Sequence, residues 1–147
     1  MLKLLLAAHL IFAVFAVGPL VHAATTAGRG IRTGDGTATA AASRMLRIYS
    51  YVSVLVIVAG MGLMSQKEDG HKLGEFSDPW IWISLVLWLV AMGLVLGVMV
   101  PTLDKATRQI GEQQSVVTLT ARVAASGGVV ALLFLVIVVL MVYKPGE

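Results

Sequence analysis

Cysteine is absent from the 147 residues, which excludes disulfides, thiolate nucleophiles and cysteine-ligated clusters. Redox compartment therefore leaves no trace in the chain. Charge is scarce as well: 13% of residues are Asp, Glu, Lys or Arg, against about 25% in soluble domains. Its placement matters more than its amount. Four long apolar runs hold no charged side chain near their centres, whereas proton relays, ion pathways and coupled transporters need such groups, or broken helices, at that depth. A transporter or pump acting alone is not expected. Nor do a nucleophile, a base and an orienting group occur together at a spacing that suggests catalysis. Nothing resembles a nucleic-acid module, because the basic residues gather in two short segments.

What the chain has in quantity is hydrocarbon. Hydrophobic residues make up 58% and the mean hydropathy is +0.89. The length suits one domain of three or four spanning helices, with no room for a separate soluble domain. The clearest span is Trp80 to Val100, 21 residues with Ser84 as the one weakly polar side chain. At 1.5 Å per residue it can cross a hydrocarbon core of about 30 Å. Ser77-Asp78-Pro79 supplies a capping side chain and a proline where the helix needs no N–H. Trp80 and Trp82 suit headgroup level at that end, and Pro101 marks the other. Inside the span, Gly93 and Gly97 form a GxxxG pair predicted to face another helix of this chain or of a partner.

The remaining spans are expected at about 3–24, 48–64 and 123–143. The first has some features of a secretory signal: Lys3, an apolar stretch to Val17, Gly18-Pro19, then Val21-His22-Ala23. Cleavage would leave Arg29, Arg32, Arg44 and Arg47 outside, against the preference of positive residues for the cytoplasm, so an uncleaved helix is expected. Thr25–Ser43 reads as a polar, small-residue connection with a tight turn at Thr33-Gly34-Asp35-Gly36, and the Ala-rich Thr37–Arg47 begins the next helix before the membrane. Gly60 and Gly62 permit close packing near the far end of the second span. Thr102–Thr120 is the matching connection, with Lys105, Arg108 and nearby Arg122. Seven Lys or Arg thus fall on one side and four, at positions 3, 67, 72 and 144, on the other. The expected fold is an all-α membrane protein: four transmembrane helices in an antiparallel bundle, both termini outside, in the cytoplasmic membrane.

The two hairpins also resemble each other. Pro19-Leu-Val-His-Ala-Ala24-Thr25 matches Pro101-Thr-Leu-Asp-Lys-Ala106-Thr107, followed by Gly34-Asp35 or Gly111-Glu112 and then by Arg44 or Arg122. Such a parallel repeat would have its axis along the membrane normal. His22 and Asp104 hold equivalent places; independent exposure is expected of them rather than a pair.

His9 is the one histidine well inside a span, which raises a ligand hypothesis, because neutral imidazole binds haem iron and other metals. No second histidine lies in a span, and a His/Met pair would need Met61 or Met64. The alternative is a neutral histidine bonded to Ser84 or to a backbone carbonyl between helices. The methionines, Met61, Met64, Met92 and Met99, fill gaps as readily as they bind copper(I). Glu68-Asp69-Gly-His71 reads as a solvated turn. Ser126, Gly127, Gly128 and Ala131 add a small-residue face to the last span.

The segment LLAAHLIFAVFAVGPLVHAATTAGR resembles an uncharacterised family of small four-helix integral membrane proteins common in actinobacteria, through His9, the Gly18-Pro19 exit and the arginine-bearing loop. In size and character the chain also resembles the small, cofactor-free subunits that accompany the actinobacterial cytochrome bc–aa3 oxidase supercomplex. The resemblance implies no catalytic residues and no cofactor. It implies an accessory subunit of a respiratory membrane complex, with other transmembrane subunits and membrane lipids as partners. The competing expectation is a haem-, copper- or quinone-binding membrane protein centred on His9.

Overall fold

The computed structural model describes residues 2–64, 67–68, 71–72 and 78–143. Four helices dominate them. α1 runs without a break through Leu2–Phe12, Ala13–Val17 and Gly18–Thr33, and α2 is Gly36–Met64. α3 runs through Pro79–Leu94, Val95–Met99 and Val100–Gly111, and α4 is Val117–Tyr143. Each is long and apolar enough to cross a membrane, as expected from the four apolar runs. Lys67–Glu68 and His71–Lys72 pair as a minimal antiparallel ladder between α2 and α3. The Ser77 cap and the Asp69 part of the acidic turn lie outside the described residues.

The spans are longer than the apolar runs. With 27 to 33 residues each, the helices measure about 40 to 50 Å, some 10 to 20 Å more than the hydrocarbon core. The excess lies at the end that carries Arg29, Arg32, Arg44, Arg47, Lys105, Arg108 and Arg122, all exposed. This is the basic end; Leu2 and Tyr143, the first and last described residues, lie at the other, the terminal end. Thr25–Ser43 and Thr102–Thr120 are therefore mostly helix, a correction to their reading as connections. The first turn is where the glycines placed it. Gly34 is left-handed at φ 68°, and Asp35 returns its N–H to the Gly30 carbonyl at 2.9 Å, closing α1. The Asp35 carboxylate then accepts the Ala38 N–H at 3.1 Å and starts α2.

Pro19 and Pro101 end no helix. Each lies two residues past a five-residue π segment, Ala13–Val17 or Val95–Met99. Proline deprives the carbonyl four residues earlier of its N–H partner and crowds it, and a wider π turn gives that strand of backbone room. Pro101 was expected to mark the end of its span and Gly18-Pro19 an exit; the helices instead continue to Thr33 and Gly111.

The helices pack in a ring in chain order. Leu20, Ala23, Ala24, Ala27 and Ile31 of α1 meet Leu46 of α2, Met99, Leu103 and Ala106 of α3, and Leu119, Val123 and Val130 of α4 in one buried cluster. Of the tryptophans expected at headgroup level, Trp82 is exposed but Trp80 is buried.

Candidate functional site

α2 presents one continuous inward stripe: Thr39, Ser43, Leu46, Ser50, Ser53, Val56 and Leu63. The spacing alternates between four and three residues over its first part, which keeps one face turned towards the neighbours. Four of the seven carry hydroxyls, and each has a partner. Thr39 Oγ1 lies 2.6 Å from Thr107 Oγ1 of α3. Ser43 donates to the Asp104 carboxylate at 2.6 Å, and Arg47 reaches the other carboxylate oxygen at 3.2 Å. Deeper, Ser50 donates to the Leu46 carbonyl, and Ser53 donates to the Ser50 carbonyl, both at 2.6 Å. Ser53 in turn accepts the Trp88 indole N–H at 3.2 Å, with Met92 sulfur 3.7 Å away. Thr39, Ser43 and Ser53 thereby tie α2 to α3, at roughly 0.6 to 1 kcal/mol each, while Ser50 bonds only within its own helix. This row was not anticipated. Its signal was the hydroxyl recurrence at 39, 43, 50 and 53, hidden among other small residues.

His9 Nδ1–H donates to the Val56 carbonyl at 3.0 Å, taking the backbone alternative rather than Ser84. Gly60 makes the approach possible: a Cβ there would lie 3.2 Å from His9 Cε1. Gly62 faces Leu5, but a Cβ there would lie an ordinary 3.6 Å away, so of the two glycines Gly60 is the one that close packing uses. The Ser84 hydroxyl is buried and has no hydrogen-bond partner among the described residues. Among the described residues no group of three or more His, Cys, Asp or Glu is placed to hold a metal ion. His22 is exposed, its carbonyl accepting Thr26 Oγ1 at 2.7 Å, while Asp104 turns to α2.

The four glycines singled out for packing divide. Gly127 is the most closely packed of the described glycines: a Cβ would run into the Ala24 carbonyl of α1 and lie 3.4 Å from Met99 Cε. Gly93, Gly97 and Gly128 are exposed and would meet nothing within 4 Å. Packing of Gly93 and Gly97 against another helix of this chain is thus corrected, because their face of α3 turns out of the ring.

Two open grooves flank α4 near the basic end. One, about 270 Å³, lies between α1 and α4 and is lined by Thr25, Gly28, Arg32, Thr120, Ala124 and Gly128. The other, about 320 Å³, lies between α3 and α4 and is lined by Gly97, Val98, Pro101, Thr102, Lys105 and Arg122. Together these features define a four-helix membrane protein with a polar interhelical seam and outward-facing small-residue grooves. Comparisons with protein-family models, curated proteins and solved structures find no match.

Proposed function

We propose that this chain is a non-catalytic accessory subunit of a larger cytoplasmic-membrane complex, with a respiratory cytochrome c oxidase supercomplex as the host favoured by the resemblance. The observation that carries the subunit reading is the open face of Gly93 and Gly97. Helices in lipid associate by close approach at small residues, so two glycines a turn apart suit a helix from another subunit. The polar seam supports the same reading, since its hydroxyls are engaged within the bundle and offer no charged relay at mid-membrane depth. The basic end is cytoplasmic by the positive-inside rule. The hairpins are a parallel repeat, supported by the matching positions of the π segments before Pro19 and Pro101.

Tagging Glu147, extracting in mild detergent and identifying the co-purifying chains tests the host. Recovery with oxidase subunits is expected; recovery alone or with a non-respiratory complex removes the assignment. Gly93→Leu with Gly97→Leu should lower partner recovery while leaving the isolated protein's stability unchanged. For orientation, an impermeant thiol reagent on intact cells should label Gly70→Cys and miss Asp35→Cys; the reverse pattern inverts the topology.

A second reading has one observation in its favour. With Nδ1–H directed at the Val56 carbonyl, the His9 ring is held in one orientation, as an outer partner holds a ligating histidine. A Soret band that disappears in His9→Ala would replace the subunit reading with a haem-binding one.

A further inference from the structure

We propose that the groove between α3 and α4 is a binding site for one anionic phospholipid, its headgroup phosphate held by Lys105 and Arg122 and an acyl chain lying along Val98 and Gly97. The inference goes beyond the accessory-subunit reading and does not depend on it. Gly97 belongs to both faces, so a partner helix seated on Gly93 and Gly97 and the acyl chain would exclude each other there, and lipid retention is measured on the isolated chain.

Three observations lead there. First, the two cations come from different helices and line one groove of about 320 Å³. Neither has an ion pair or hydrogen bond among the described residues, and the one carboxylate nearby in sequence, Asp104, is engaged on the opposite side by Ser43 and Arg47. Second, the groove straddles a boundary. Arg122 immediately precedes the apolar run of α4, and Lys105 follows the apolar run of α3 by five residues, which places both at headgroup level. Gly97 and Val98 lie inside the apolar run. The occupant that matches both halves has an anionic head and a hydrocarbon tail; a soluble anion would use only the lower half. Third, the floor is bare where the tail would lie, because a Cβ on Gly97 would meet nothing within 4 Å. Basic pockets between transmembrane helices are suited to anionic headgroups, each Lys or Arg near the surface adding about fivefold in affinity.

Native mass spectrometry of the full chain in detergent, titrated with phosphatidylglycerol or with phosphatidylcholine, tests the site. One phosphatidylglycerol should be retained at least tenfold more strongly than phosphatidylcholine. Lys105→Gln with Arg122→Gln should weaken its retention about thirtyfold, whereas Arg29→Gln with Arg108→Gln, the same loss of charge elsewhere on the basic end, should change it less than threefold. Gly97→Leu keeps both charges but fills the floor, so it should weaken retention as well. It also serves if the double charge variant does not fold. An excess of glycerol 3-phosphate should not displace the lipid; displacement would mean that a soluble phosphate is the ligand and would overturn the proposal. Equal retention of the two lipids, or unchanged retention in both the charge and the Gly97→Leu variants, would also overturn it.

Discussion

From Gly18 to Thr33, α1 buries Leu20, Ala23, Ala24, Ala27, Gly28, Gly30 and Ile31; from Lys3 to Phe15 the same helix buries nothing. The first half is the more hydrophobic of the two, rich in Leu and Phe, and it is the half that faces outward. In water that would be an inversion. In lipid it follows from the solvent: apolar side chains gain nothing by leaving hydrocarbon, so the buried face is built mainly of residues that let backbones approach, here five Ala or Gly beside Leu20 and Ile31. The basic end is therefore held by small-residue contacts and hydrogen bonds. The terminal end of α1 leans on α2 through His9 and Leu5, with most of its surface left to lipid or to a partner.

Substitutions can break this contrast. The largest effect is expected at Gly127, where even Ala meets the Ala24 carbonyl; Gly127→Ala should cost about 3 kcal/mol of stability in detergent unfolding. Its neighbour Gly128 is the control. Gly128→Ala meets nothing and should stabilise by less than about 1 kcal/mol, through helix propensity alone. If both variants behave alike, α1 and α4 do not meet as described.

Next in size come the seam residues. Thr39→Val and Ser43→Ala should each lower stability by about 1 kcal/mol, measured in the same way. Asp104→Asn should cost less than that, because the Arg47 pair is half exposed and its attraction is screened. A larger loss for Asp104→Asn than for Ser43→Ala would make the ion pair, rather than the hydroxyl, the stronger tie.

The smallest effect is expected at the terminal end. His9→Leu removes one bond to a carbonyl that helix α2 already engages, for about 0.6 kcal/mol. Amide exchange sharpens the comparison without mutation: residues 3–15 should exchange faster than residues 18–31 of the same helix. Equal protection along α1 would mean that the sparse contacts of its first half suffice.

The legibility of the chain followed the same division. Four spans were evident because an uncharged run long enough to cross hydrocarbon has little place in a water-soluble fold. The Gly34 turn was evident because only a residue without Cβ reaches positive φ without strain. The helical continuations were not. Gly28, Gly30 and the threonines of Thr25–Thr33 are poor helix formers, so the segment looked like a loop; in the fold, those glycines lie against Thr120 and Thr39, and packing outweighs propensity. The pairs Ser53–Trp88, Thr39–Thr107 and Ser43–Asp104 depend on how each helix is rotated, which an apolar run does not specify. For the same reason GxxxG spacing predicted that Gly93 and Gly97 face another helix without saying which way their face turned, and in the fold it turns outward.

That rotation hangs on very little. Each π segment holds one more residue than an α-turn would use, and one residue corresponds to about 100° around a helix axis. The extra residue within Ala13–Val17 thus sets the angular phase of everything before it, His9 included, against everything after Gly18. Deleting a single residue there would keep every apolar run and every charge. It would swing the His9 ring roughly a quarter-turn away from the Val56 carbonyl, or else force the Ala24 side of the helix off Gly127. A deletion within Val95–Met99 would set Trp88 and Met92 against Leu103 and Ala106 in the same way. The register of the bundle is keyed at two points, and a change invisible to composition or hydropathy can unlock either.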